Sequence, residues 1–166
     1  MSAFLNWKGR SWLALPIRIY LGGVFLFACW HKIIDPASFA VDVATYQILP
    51  LPLVNLTAIV LPWLELIAAA MLIAGFRTRA AALLIAGMMV VFIAAISIAL
   101  SKDLAMSCGC FASQGLEEDP ISWKTVVRDL AWLLLAVYVM ALDRSPLGVD
   151  RFFLKRKKTK PLEKDN

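Results

Sequence analysis

The amino-acid sequence predicts an all-α membrane protein, a bundle of four transmembrane helices with a short extracytoplasmic surface helix between spans one and two. Three observations carry that class. Hydrophobic residues make up 61% of the 166 and charged residues only 17%, and the mean hydropathy is +0.74. A soluble domain of this size needs far more charge on its surface. Four segments also reach the roughly 20 mainly apolar residues that a helix needs to cross the hydrocarbon layer. They are expected at about residues 12–30, 53–76, 80–100 and 121–142, after an N-terminal segment 1–11 and before a basic tail 143–166. Nothing remains for a second domain.

Each element has local signals. In span one, Pro16 falls in the first turn or so, where proline is tolerated, and Gly22-Gly23 permits close helix contact. The stretch Leu26-Phe27-Ala28-Cys29 faintly resembles a bacterial lipoprotein cleavage box with Arg18 as its charged flank. Three further spans and the bulky Phe27 argue against cleavage, so the span reads as an uncleaved anchor. Asp35-Pro36 is a helix start, with Asp as N-cap and Pro at the first helical position. A short helix over Ala37 to Leu49 is therefore expected to lie on the membrane and roof the bundle, before Pro50 and Pro52 turn the chain back. Pro62 is expected to kink span two and free a carbonyl.

Charge orients the bundle. Twelve of the seventeen basic residues fall before span one, between spans two and three, or after span four. By the positive-inside rule both termini are expected to be cytoplasmic, and the expected location is a bacterial inner membrane, crossed several times. The basic balance, with a pI of about 9.3, comes largely from Lys155-Arg156-Lys157-Lys158. That run reads as a topology signal touching anionic lipid, with no nucleic-acid partner expected.

The chemistry gathers at the outer end. Cys108-Gly109-Cys110 lies in the polar break between spans three and four, extracytoplasmic by the positive-inside rule and, if the membrane is a bacterial inner one, in a compartment where disulfides can form and persist. Two thiols separated by one glycine can pair with each other or pass a disulfide onward. Cys29, Trp30, His31 and Lys32 close span one, Trp63 lies in span two, and Trp123 opens span four. Singly, the tryptophans read as interface anchors, His31 as a hydrogen-bonded structural residue and Cys29 as a small apolar one. Together, His31 beside Cys29 could lower a thiol pKa or bind metal. Cys29, His31, Cys108 and Cys110 would make a soft four-ligand set, although Cys-x-Cys is a loose chelation signal and no metal is expected. Ionisable residues within spans are costly and need a reason. Counted depths put Arg18 and Glu65 at one level, as a buried pair. Arg128 should lie roughly 10 Å below the outer end, and Asp129 should point about 100° away toward another partner.

Several of these stretches together resemble the DoxX-like superfamily, and in particular its MauE branch. They are Arg18 to Leu26, Trp30-His31-Lys32 with Asp35-Pro36, Leu61-Pro62-Trp63-Leu64-Glu65-Leu66, Cys108-Gly109-Cys110-Phe111, and Trp123 with Arg128-Asp129. The resemblance spans about residues 10–142, and its most specific part is the Cys-Gly-Cys-Phe loop followed by the Arg-Asp helix. It implies a four-span inner-membrane protein associated with maturation of methylamine dehydrogenase, whose small subunit carries many periplasmic disulfides. DoxX relatives are linked to sulfur and quinone-coupled redox work. The family loop usually ends Cys-Gly-Cys-Phe-Gly, and here Ala112 stands where that glycine would be.

The functional expectation is a quinone-coupled thiol oxidoreductase of the extracytoplasmic disulfide or sulfur economy. A thioredoxin-like partner or client would attack a Cys108–Cys110 disulfide, and electrons would leave to a quinone from that pair or through Cys29. Arg128 would stabilise a thiolate or quinol anion and His31 would handle protons. Arg128, Trp63, Glu65, Trp30, Lys32 and Trp123 are the candidate quinone contacts. The alternatives are a non-catalytic assembly scaffold in a membrane complex and a soft-metal-binding protein.

Overall fold

The computed structural model describes residues 10–102 and 122–142. Cys108, Cys110, Ala112 and the basic tail lie outside the described residues. Five helices account for nearly all of the rest: α1 (Arg10–Ile34), α2 (Pro36–Thr45), α3 (Leu51–Ala74), α4 (Thr78–Ser101) and α5 (Trp123–Leu142). Four of them, all but α2, are long and apolar enough to cross a membrane. Only a third or less of the most apolar stretch of each is buried inside the protein. Leu56, Ile59, Val91 and Leu134 are among the large side chains turned outward. In water they would form an apolar surface far larger than a soluble monomer carries, so the surrounding solvent is lipid.

Helix ends follow from capping chemistry. α1 continues past Trp30 to Ile34, because nothing stops it before Asp35-Pro36. It also begins at Arg10, which leaves Pro16 inside the helix rather than in its first turn. Asp35 caps α2 as expected, its side chain accepting from Ser38 N at 3.0 Å, with Pro36 at the start. α2 ends at Thr45, short of Leu49, where Gln47 takes a positive φ of 51° and Leu49 precedes Pro50, a position that disfavours helix. Pro62 is buried inside α3 without ending it, and its missing N–H leaves Ala58 O without the usual helical donor. Gly75 closes α3 in the left-handed conformation, φ 71°, while Phe76 N donates back to Met71 O. That cap makes the tight α3–α4 hairpin.

α1 packs on α3 and α4 on α5, contacts between α3 and α4 and between α1 and α5 close the ring, and α2 lies against α3. The main core is built from Leu21, Phe25, Leu72, Ile85 and Val139 with many alanines, among them Ala68, Ala69, Ala81, Ala82 and Ala136. Small residues let helices approach closely where lipid removes the hydrophobic drive for association. A smaller cluster of Tyr46, Ile96, Ala99 and Val126 fills the end of the bundle beside α2. The α4–α5 connection, with its two cysteines, leaves and returns at that same end.

Candidate functional site: a polar cavity at the α2 end

The register of α1 against α3 decides which charges meet. Gly22 sits where a Cβ would lie 2.5 Å from Ile73 Cγ1 and 3.2 Å from Ala69 O, so Gly22 is level with about residue 71 of the antiparallel α3. Ala28 is then level with Glu65, and Arg18 lies about ten residues, or about 15 Å, further from α2. The expected Arg18–Glu65 pair is corrected on this point. Glu65 instead takes Lys32, whose Nζ donates to Oε1 at 2.9 Å and Oε2 at 3.0 Å. Side-chain direction gives the reason: helical side chains tilt toward their own N-terminus. In antiparallel helices Lys32 therefore reaches down α1 while Glu65 reaches up α3, and the two converge. Arg18 tilts away from Glu65. The Lys32 ammonium also lies 4.9 Å from the Phe39 ring centroid, beneath α2.

α5 supplies a second pair. Asp129 is fully buried, and Oδ1 accepts from Arg128 Nε at 3.1 Å. The expectation that neighbours 100° apart serve different partners is thus corrected, because the arginine side chain is long enough to fold back along its own helix. The Arg128 guanidinium also covers the Trp132 ring one turn on, at 4.8 Å. Asp129 Oδ2 has no hydrogen-bond partner. Lys32, Glu65 and Asp129 share the lining of one cavity of about 50 Å³, with Phe25, Phe39, Phe92 and Trp132 among its apolar walls. Asp129, Phe39, Phe92 and Trp132 were not among the sequence candidates. Only Asp129 carried a signal, as a carboxylate inside a span.

The other candidates are dispersed. Cys29 is buried, its Sγ donating to Leu26 O at 3.2 Å. His31 packs edge-on against Phe27, with ring centroids 5.2 Å apart. Two residues along a helix are about 200° apart, so Cys29 faces the interior and His31 does not. The expected coupling of the two is corrected on that geometry. Trp30, Trp63 and Trp123 are all more than half exposed, on the lipid-facing side and away from the cavity. Among the described residues no group of three or more His, Cys, Asp or Glu is placed to hold a metal ion. On α2, burial raises the Asp42 carboxyl above its usual range, and the nearby Lys32 charge partly opposes the shift.

The sequence that forms this bundle matches known proteins. The family profile described as "Methylamine utilisation protein MauE" covers residues 10–142, the whole bundle. The chain belongs to the MauE family. Two relatives bearing the name "Methylamine utilization protein MauE" are similar to it. The one from Paracoccus denitrificans is 32% identical over 124 residues, 74% of this chain. The one from Methylorubrum extorquens is 36% identical over 126 residues, 75% of this chain. The chain spans 66% of the length of each of these curated relatives. No solved structure matches. Within this MauE-family bundle, the matched region carries every residue that lines the polar cavity.

Proposed function

We propose that this chain is the membrane component of an extracytoplasmic thiol-oxidising step that serves maturation of a periplasmic redox enzyme, with a quinone as electron acceptor. The relatives are named for methylamine utilisation, and a client enzyme in such a system fits that name. The bilayer is the chain's surroundings, and the distribution of basic residues supports an inner-membrane location with both termini cytoplasmic. Two thiols of a client or thioredoxin-like partner reduce the Cys108–Cys110 disulfide through a mixed disulfide. The reduced pair then gives two electrons and two protons to the two carbonyl oxygens of a quinone, and the S–S bond re-forms.

One observation carries the acceptor half of this reading. The cavity holding Lys32, Glu65 and the unpartnered Asp129 oxygen lies inside the bundle on the α2 side, with Asp129 six residues into α5 and Phe92 nine residues before the end of α4. Cys108 is six residues on from Lys102, so chain length alone keeps it within about 20 Å of the end of α4. Asp129 is the group suited to exchange a proton with a bound ring, and Arg128 is its positioning residue. The test is thiol oxidation by purified protein, with a reduced thioredoxin as donor and a benzoquinone as acceptor. Native protein turns over, Cys108→Ser and Cys110→Ser do not, and an impermeant thiol reagent labels the reduced pair in intact spheroplasts. Undiminished turnover in the cysteine variants, or labelling that needs broken membranes, overturns the proposal.

A further inference from the structure

A second space adjoins the polar cavity. It is a groove of about 480 Å³ between α2, α3 and α4, lined by apolar groups that include Tyr46, Leu49, Leu84, Gly87 and Val91. Leu49, Leu84 and Val91 are outward-facing residues, so the groove opens sideways into lipid. Phe39, Leu61, Met88 and Phe92 line both spaces and form the boundary between them. We propose that groove and cavity are one site, entered laterally from the bilayer, for a neutral long-chain amphiphile with a hydroxyl-bearing aromatic ring. The chain lies along the groove, the ring packs between Phe39 and Phe92, and a hydroxyl donates to Asp129 Oδ2. The identity of that ring as a quinol rests on the proposed function. Its place rests on the cavity.

Four features select this class of occupant. A carboxylate oxygen held opposite an arginine accepts hydrogen bonds, so the unpartnered Oδ2 calls for a donor on the ligand. The four charges around the cavity, Lys32 with Glu65 and Arg128 with Asp129, cancel in pairs and present no net positive field to a phosphate. A cavity of about 50 Å³ admits a hydroxyl and the edge of a ring but not a phosphodiester headgroup. Aromatic and methionine side chains at the boundary suit a flat ring, and Met88 can change rotamer to admit it.

The experiment measures equilibrium binding of radiolabelled decyl-benzoquinol to the purified full chain in phosphatidylcholine nanodiscs, with empty discs subtracted. A tail-less benzoquinol and decyl alcohol serve as competitors. A Cβ at Gly87 meets nothing within 4 Å, so Gly87→Phe fills the groove without disturbing the helices. It should weaken decyl-benzoquinol binding about tenfold or more and leave the tail-less ring unaffected. In Asp129→Asn the amide oxygen takes Arg128 and its NH₂ turns toward the ligand. Quinol affinity should then fall about tenfold while that for the oxidised quinone rises. Native-like binding in either variant overturns the site, as does decyl alcohol competing as well as the quinol. Specific quinol binding by a protein that oxidises no thiol would sink the proposed function and leave the site standing. Thiol oxidation with no specific binding would do the reverse.

Discussion

Glu65→Gln is the substitution whose consequence follows most directly from the geometry. Lys32 and Glu65 are each less than a tenth exposed and meet at 2.9 Å. At an effective dielectric of 20, unit charges at that distance attract by about 6 kcal/mol, offset by the cost of desolvating both. Removing one partner leaves a buried ammonium whose remaining support is the Phe39 face, about 1 kcal/mol. The expected loss is therefore about 3–5 kcal/mol of stability, and Lys32→Met should lose a similar amount. The double variant Lys32→Met with Glu65→Met removes both charges and refills the space, and should unfold within about 1 kcal/mol of native. Equilibrium unfolding in bicelles reads all four proteins as one double-mutant cycle. Raising the salt to about 1 M should leave the coupling nearly unchanged, because ions do not reach a buried pair. Additive losses in the cycle, or single losses below about 1 kcal/mol, would refute the pairing.

Three further outcomes are expected. Gly22→Ala should cost about 1–3 kcal/mol from the contact with Ile73 and regain part of it with Ile73→Ala, whereas Gly23→Ala, whose Cβ meets nothing within 4 Å, should be neutral or stabilising; equal effects in thermal unfolding would reject the register drawn from Gly22. The raised Asp42 carboxyl binds its proton more tightly in the folded state, so its contribution to stability is fully present below the ordinary carboxylate range and is lost as pH rises through the raised value. Asp42→Asn should therefore melt higher than native at about pH 7, with the advantage vanishing toward about pH 3, and a pH-independent difference would contradict the burial effect. Cys29→Ala should retain thiol oxidation where Cys108→Ser loses it, and a matched loss of turnover would make Cys29 part of the electron route.

The spans are legible because lipid leaves so few solutions: apolar length gives the helices, and Asp35-Pro36 gives the start of the surface helix. The left-handed Gly75 that ends α3 is not among the signals read from the sequence. The cavity was half legible. Lys32 and Glu65 stand out as charges in apolar surroundings, but their pairing is hidden when depths are counted as if the end of span one and the start of span two were level. α1 in fact ends only two residues past Lys32, while Glu65 lies well inside α3. That offset depends on a single close approach at Gly22, which the sequence marks only as a glycine pair. Asp129 was harder still. Its fellow wall residues Phe39, Phe92 and Trp132 come from three different helices, and no spacing in one segment brings such residues together. Trp30, Trp63 and Trp123 drew attention by type alone, and type alone does not say which way a ring faces.

The position of Cys29 constrains how electrons could cross this site. Thiol–disulfide exchange needs a thiolate with open access along the S–S axis. Cys29 Sγ is enclosed, bonded to Leu26 O, and absent from the cavity lining. A relay through it would require α1 to move away from its neighbours, at the cost of the Lys32–Glu65 bond one turn further on. Chain length lets the Cys108–Cys110 pair lie up to about 20 Å from the end of α4. The proposed cycle therefore runs from the Cys108–Cys110 pair to the quinone without Cys29 as a relay. That cycle gives a use to the Asp129 carboxylate oxygen, which has no hydrogen-bond partner among the described residues. If a quinone is the acceptor, as proposed, the unfilled position is the one at which a hydroxyl of the reduced ring would donate.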